Sequence, residues 1–243
     1  MAGVDIGRKR WRSTGGAINW SHPLAAGLET FVSGGVAFVG GRIPTKSGNV
    51  EAAATPYGLG MALPAASSSY MELPIVNADK FVGPVTSMWV GKQNNQSTFR
   101  AMLGVSINPA GDRTAIDALR YADGHISVTR GGDGVGGRTF REHNTATDAN
   151  VSGRWDCIII GFPDNLMQTS PTIMENGAVL ANTPAGSGSG AVSSTSTAIR
   201  IGRRPDGAVQ TDGVVAVTAI WSRCLSVSEM HQLYADPFCM LKG

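Results

Sequence analysis

Residues 213–237 read G-V-V-A-V-T-A-I-W-S-R-C-L-S-V-S-E-M-H-Q-L-Y-A-D-P, and this stretch decides the fold. A short apolar run ends at Trp221, a tight link follows, and one capped helix stops at a proline. Ser226 is a good N-cap, and Glu229 stands at the third helical position, so the pair predicts a capping box. Leu225 before the cap and Met230 at the fourth position predict a hydrophobic staple. Val227, Met230, Leu233 and Tyr234 fall on one helical face, and Pro237 ends the pattern. The reading is a strand that delivers the chain into a single short helix.

Upstream of this stretch the chain alternates short apolar runs with glycine turns. Strands are expected near residues 36–39, 57–63, 69–73, 85–90, 99–107, 126–129, 139–141, 155–162, 171–180 and 198–202. Glu175-Asn176-Gly177 marks a hairpin turn. Residues 115–121 fit two helical turns or a strand equally well. Residues 185–197 are rich in Gly, Ser and Thr and read as a flexible loop. Glycine is 32 of 243 residues, about twice the usual ~7%, and charged residues are only 16%. About a dozen short strands with turns between them predict an all-β antiparallel sandwich with one short C-terminal helix.

Gly213, Ile220, Trp221, Arg223, Leu225, Ser226, Glu229, Leu233 and Tyr234 follow the pattern G-x-[apolar]-x-x-[apolar]-x-[apolar]-W-x-R-x-L-S-x-x-E-[apolar]-x-x-L-Y. The stretch resembles the close of laminin-G-like domains, in the concanavalin A-like lectin/glucanase superfamily. At the other end, Asn19-Trp20-Ser21-His22-Pro23-Leu24 with Gly27-Leu28 resembles the opening of bacteriophage proteins that carry such a domain. Residues 57–63, 85–90, 171–180 and 198–202 resemble that family's early glycine strand, core-tryptophan strand, N-G hairpin and penultimate strand. The resemblance implies a jelly-roll, concanavalin A-like sandwich over residues 17–243, preceded by an arm of residues 1–16.

The net charge of +2 is unevenly placed. Residues 1–12 hold Arg8, Lys9, Arg10 and Arg12 against Asp5, an excess of three, which leaves the rest of the chain at −1. Trp11 sits inside the basic cluster. Four charges before a neutral body make a small footprint for nucleic acid, so the arm Arg8, Lys9, Arg10, Trp11 and Arg12 is expected to bind a protein partner instead. Cys157, Cys224 and Cys239 are odd in number and lack metal-ligand spacing. Cys157 reads as a buried small hydrophobe, and no bridge is expected between Cys224 and Cys239. No apolar leader and no run of ~18 apolar residues is present, so the expectation is a protein made in a cytoplasm with no membrane partner.

Several patterns raise chemistry that their context does not support. Residues 132–137 contain a literal G-x-G-x-x-G with Asp156 beyond it, but no helix pattern follows to hold a pyrophosphate. The superfamily includes glycoside hydrolases, which need paired carboxyl groups. None of the six glutamates has an acidic residue two positions away, although partners from different strands would escape this reading. His22, His125, His143 and His231 show no ligand spacing. Asp206 and Asp212 have the right oxygens for calcium, but aspartate beside glycine is also an ordinary turn. We expect no cofactor, no metal and no enzymatic activity.

Two functions are therefore expected, in this order. The first is a structural protein of a bacteriophage virion, a capsid decoration or cement protein held through the basic arm, present in many copies or as a homo-oligomer among other virion proteins. The second is a tail-associated, carbohydrate-binding host-adhesion protein. A sugar site needs exposed aromatics beside polar groups. Trp20, Trp89, Trp155 and Trp221 lie mostly in apolar surroundings and read as core, which leaves Trp11.

Overall fold

The computed structural model describes residues 17–34, 36–37, 39, 44–64, 68–75, 77–94, 100–105, 116–132, 139–148, 152–192, 198–204 and 209–242. The described strands form two antiparallel sheets. The first sheet runs, in spatial order, β14 (Ala178–Leu180), β13 (Thr172–Glu175), β12 (Trp155–Phe162), β7 (Val85–Gln93), β17 (Gly213–Trp221), β1 (Leu28–Ser33) and β2 (Val36–Ala37). The hairpin β4 (Glu51–Thr55) and β5 (Gly58–Leu63) joins β17 on the same edge as β1. Val217–Trp221 of β17 pair with β1, and Gly213–Val215 pair with β5. The second sheet runs β15 (Asn182–Ala185), β11 (Thr139–Thr145), β10 (Ile126–Gly132), β9 (Ile116–Arg120), β8 (Arg100–Val105), β16 (Ala198–Ile201), β6 (Tyr70–Pro74) and β3 (Thr45–Ser47).

Side-chain alternation explains the two cores. On β12, Ile158, Ile160 and Phe162 point at the second sheet and join Trp89, Val128, Ile199 and Ile220 in the inter-sheet core. Cys157 and Ile159 point the other way, into a second core beneath α1 (Val227–Ala235). The first sheet is thus covered on both faces, which is why residues 155–162 form an almost unbroken apolar run. The ambiguous residues 116–120 are a strand in the second sheet, because alternate Ile116 and Ala118 enter the inter-sheet core.

The C-terminal stretch folds as its pattern predicts. The Ser226 hydroxyl accepts the Glu229 N–H at 3.3 Å, and the Glu229 carboxylate accepts the Ser226 N–H at 2.8 Å. Leu225 and Met230 are both buried in the core beneath the helix. Trp221 Nε1 donates to the Leu24 carbonyl at 2.6 Å. Arg223 donates to the Ala26 carbonyl at 2.7 Å and to Glu229 at 2.7 Å, tying the N-terminal turn to the helix cap. The helix lies so close to the sheet that a methyl group on Gly161 would stand 2.5 Å from Met230 Cε.

Four strands lie outside the expected ranges: β1, which is largely buried between β17 and β2, and β3, β4 and β15, which are at sheet margins and mostly exposed. The segment expected as a flexible loop is pinned over its described part. Gly188 N–H donates to the Phe140 carbonyl at 3.1 Å and Val192 N–H to the Asn165 carbonyl at 2.6 Å.

Candidate functional site

The predicted arm, Arg8, Lys9, Arg10, Trp11 and Arg12, lies outside the described residues, as do Asp206 and residues 133–137. Gly132 ends β10, and Asp212 offers its backbone carbonyl to Asn94 N–H at 2.7 Å. Among the described residues no group of three or more His, Cys, Asp or Glu is arranged to hold a metal ion. No helix among them is long and apolar enough to cross a membrane. The three cysteines are free thiols, and burial with the nearby Asp156 pushes Cys157 up to about 12.

A carboxylate pair exists, contributed by neighbouring strands. Asp156 on β12 and Glu175 on β13 both face the second sheet. Both contact Arg154, at 2.5 Å from Asp156 Oδ1 and 2.6 Å from Glu175 Oε1. Arg120 reaches across from β9, 2.5 Å from Glu175 and 3.4 Å from Asp156. Arg154 Nη1 donates to Asp148 Oδ2 at 2.8 Å, and Asn176 donates to Asp156 at 2.8 Å. Burial works against the Arg154 charge, but Asp156, Asp148 and Glu175 outweigh it and raise its pKa. Residues 156 and 175 are 3% and 8% exposed. A general acid must reach its substrate, and these carboxylates instead hold two guanidinium groups between the sheets. The pair closes one end of the sandwich. Arg130 sits towards the opposite end of the same inward face of the second sheet, stacked 4.6 Å over Phe162 and donating to the Asp164, Val82 and Gly83 carbonyls.

The histidines serve local structure. His22 Nδ1 accepts the Leu24 N–H at 3.2 Å. His125 meets Asp123 at 2.6 Å and stacks on Tyr121 at 4.2 Å. His143 is buried with Nε2 3.3 Å from the Met167 carbonyl, and burial lowers its pKa. His231 is exposed on α1.

The tryptophans divide differently from expectation. Trp221 and Trp89 are core, and Trp155 is half-buried with its ring 5.8 Å from Tyr57. Trp20, expected in the core, is 61% exposed. The reason is a tight turn. His22 N–H donates to the Asn19 carbonyl at 2.9 Å, which puts Trp20 and Ser21 at the tip. Asn19 Oδ1 accepts the Ser21 hydroxyl at 2.7 Å, and Asn19 N–H donates to the Met240 carbonyl at 2.7 Å. Ile18 and Leu24 on either side are buried. The turn is therefore anchored from both sides while it projects an indole into solvent, flanked by Asn19, Ser21 and His22. Neighbouring Leu24, with its carbonyl on Trp221, was the signal that the phrase is a clasp whose flanks, not its tryptophan, are core.

No family model and no curated protein sequence matches this chain. Solved structures do. Trypanosoma rangeli sialidase superposes with a TM-score of 0.62 at 15% identity, over 88% of this chain and 33% of that one. The receptor-binding domain of botulinum neurotoxin C/D mosaic serotype gives 0.63 at 11% identity, over 88% and 52%. The binding domain of botulinum neurotoxin DC, solved in complex with SialylT, gives 0.61 at 9% identity, over 86% and 51%. This chain is an all-β antiparallel sandwich. It spans about a third of the sialidase and about half of the neurotoxin binding domains. Its structural neighbours include both an enzyme and binding domains.

Proposed function

We propose that this chain is a non-catalytic, carbohydrate-binding β-sandwich domain of a bacteriophage virion that acts in host adhesion. The observation that carries the reading is Trp20, a large aromatic on a braced turn beside polar side chains. An indole held in solvent forgoes a burial gain of about 1.5–3 kcal/mol, and its flat apolar face suits the C–H face of a sugar ring, with Asn19, Ser21 and His22 placed to orient hydroxyl groups. The buried state of Asp156 and Glu175 supports a binding role over hydrolysis. The complex of a similar binding domain with SialylT supports the ligand class. The bacteriophage setting rests on the sequence resemblance of the N-terminal phrase, Asn19–Leu24 with Gly27-Leu28.

A glycan array with the full chain and with Trp20→Ala tests this. A specific set of glycans is expected to bind the parent chain, and the variant should lose about tenfold or more in affinity without a change in melting temperature. Absence of any specific glycan, or undiminished binding by the variant, would refute it.

The second reading is the decoration protein, held on the particle by Arg8, Lys9, Arg10, Trp11 and Arg12 and assembled with other virion proteins in the host cytoplasm. It is favoured by the basic arm preceding an almost neutral body. Under it, deletion of residues 1–16 lowers particle occupancy, and Trp20→Ala changes neither occupancy nor glycan affinity.

A further inference from the structure

The turn that carries Trp20 has a hydrogen-bond polarity fixed by its own brace. Ser21 N–H lies 3.3 Å from Asn19 Oδ1, and a backbone N–H only donates, so this atom is the carbonyl oxygen of the amide. The Ser21 hydroxyl stands 2.7 Å from the same oxygen, which has no proton to give, so the hydroxyl donates. Leu24 N–H donates to His22 Nδ1 at 3.2 Å. Nδ1 therefore carries no proton, and the neutral ring holds its proton on Nε2.

The side-chain groups left over are one-sided. Asn19 keeps its amide N–H donors, His22 keeps Nε2–H and Trp20 keeps its indole N–H, and among the described residues none of these has an acceptor. Ser21 Oγ has spent its proton and offers lone pairs only. Three donor groups therefore stand on the turn with one side-chain acceptor. Asn19 and His22 are its first and fourth residues, closed by His22 N–H on the Asn19 carbonyl, so their Cα atoms lie within about 7 Å of each other on either side of the indole. Residues 19–22, N-W-S-H, include no carboxylate, lysine or arginine. Arg223, beside the turn, is held by the Pro23 and Ala26 carbonyls and by Glu229.

We infer that the Trp20 turn selects an N-acetylated amino sugar through its acetamido group. An amide carbonyl accepts with two lone pairs and has no proton of its own to place, which suits a turn rich in N–H donors. The acetamido N–H matches in kind the single side-chain acceptor, Ser21 Oγ. The acetamido methyl adds apolar area to lie on the indole face. A carboxylate would meet the same donors, but uncharged donors give it no countercharge, so its desolvation is poorly offset. The inference rests on the proposed glycan recognition at Trp20 and narrows its ligand.

The test is calorimetric titration of the full chain with oligosaccharides ending in N-acetylglucosamine or N-acetylgalactosamine. Each is run beside its counterparts ending in the plain hexose and in the uronic acid. At least one acetamido sugar is expected to bind about tenfold or more tightly than both counterparts. Asn19→Asp keeps an oxygen for the two Ser21 bonds but removes the amide donors. His22→Asn keeps an acceptor for Leu24 N–H but removes Nε2–H. Each variant should lose about three- to tenfold of the acetamido preference with an unchanged melting curve. A preference that survives both variants overturns the assignment, and so does a uronic acid that binds more tightly than its acetamido counterpart. If hexoses bind in a Trp20-dependent way with no acetamido preference, the recognition reading stands and this ligand assignment falls. If no sugar binds at all, both fall.

Discussion

Glu229 joins two functions in one carboxylate. It accepts the Ser226 N–H and hydroxyl at the helix cap, and it binds Arg223, which in turn holds the Ala26 carbonyl. Its hydrogen bonds with Arg223 and Ser226 depress its pKa from the ordinary 4.5 to about 2, against a smaller opposing effect of burial. The sign follows from linkage: a depressed carboxyl contributes stability that is fully present above about 4.5 and is lost as pH falls through about 2. The Glu229→Gln variant should therefore melt below the parent chain at pH 7, and the two melting temperatures should converge as pH drops through that window. Parallel curves across the range would contradict this role. Arg120 shows what a residue-level sequence reading misses. Nothing in I-D-A-L-R distinguishes a solvated arginine from one that is 1% exposed. Only the approach of β12 and β13 supplies the two carboxylates that make its burial tolerable.

The C-terminal helix is short, nine residues, and helices of that length are marginal in isolation. It owes its persistence to the sheet beneath it. Met230 and Leu233 are fully buried against Cys157, Ile159 and Met174. Leu233→Asp should release the helix from the sandwich, because a charge would enter an apolar seat. The loss of leucine burial alone costs about 2–5 kcal/mol, so a clear fall in the melting temperature and faster amide exchange in residues 227–235 are expected; an unaltered melting curve would remove Leu233 from that seat. The hairpin β13–β14 is a second element whose form was readable. Asn176 and Gly177 have φ of 50° and 82°, the left-handed pair a two-residue turn demands, and the Tyr234 ring packs where a Gly177 side chain would stand. By contrast β4, E-A-A-A-T, has neither β-branched enrichment nor an alternating pattern, because an exposed margin strand buries almost nothing. Its pairing with β5 sets it in the sheet.

The described body has two distinct sides. Residues 17–19 run beside the C-terminal residues, with Lys242 N–H on the Ala17 carbonyl at 2.8 Å and Ile18 bridging Leu241. Ala17 therefore lies on the side of α1 and Trp20, whereas Tyr70 and Arg200 face outward from the second sheet. Deleting residues 1–16 should leave the sandwich folded, with an unchanged circular dichroism spectrum, because the clasp between Arg223, Leu24 and Trp221 lies beyond the cut. On the decoration reading the truncated protein should lose attachment to the particle; unchanged occupancy would remove the arm from that role.

Local chemistry alone determined the capped helix, the Asn-Gly hairpin, most of the strands and hence the sandwich class, because caps, turns and side-chain alternation act over a few residues. The resemblance at the two ends of the chain pointed to the same fold. Tertiary structure decided the rest. Whether Trp20 is buried or exposed, and whether Asp156 and Glu175 are free acids or clamps on Arg120 and Arg154, both depend on segments far apart in the chain. Burial and electrostatic pairing are properties of neighbours in space, and the order of residues carries no direct record of them.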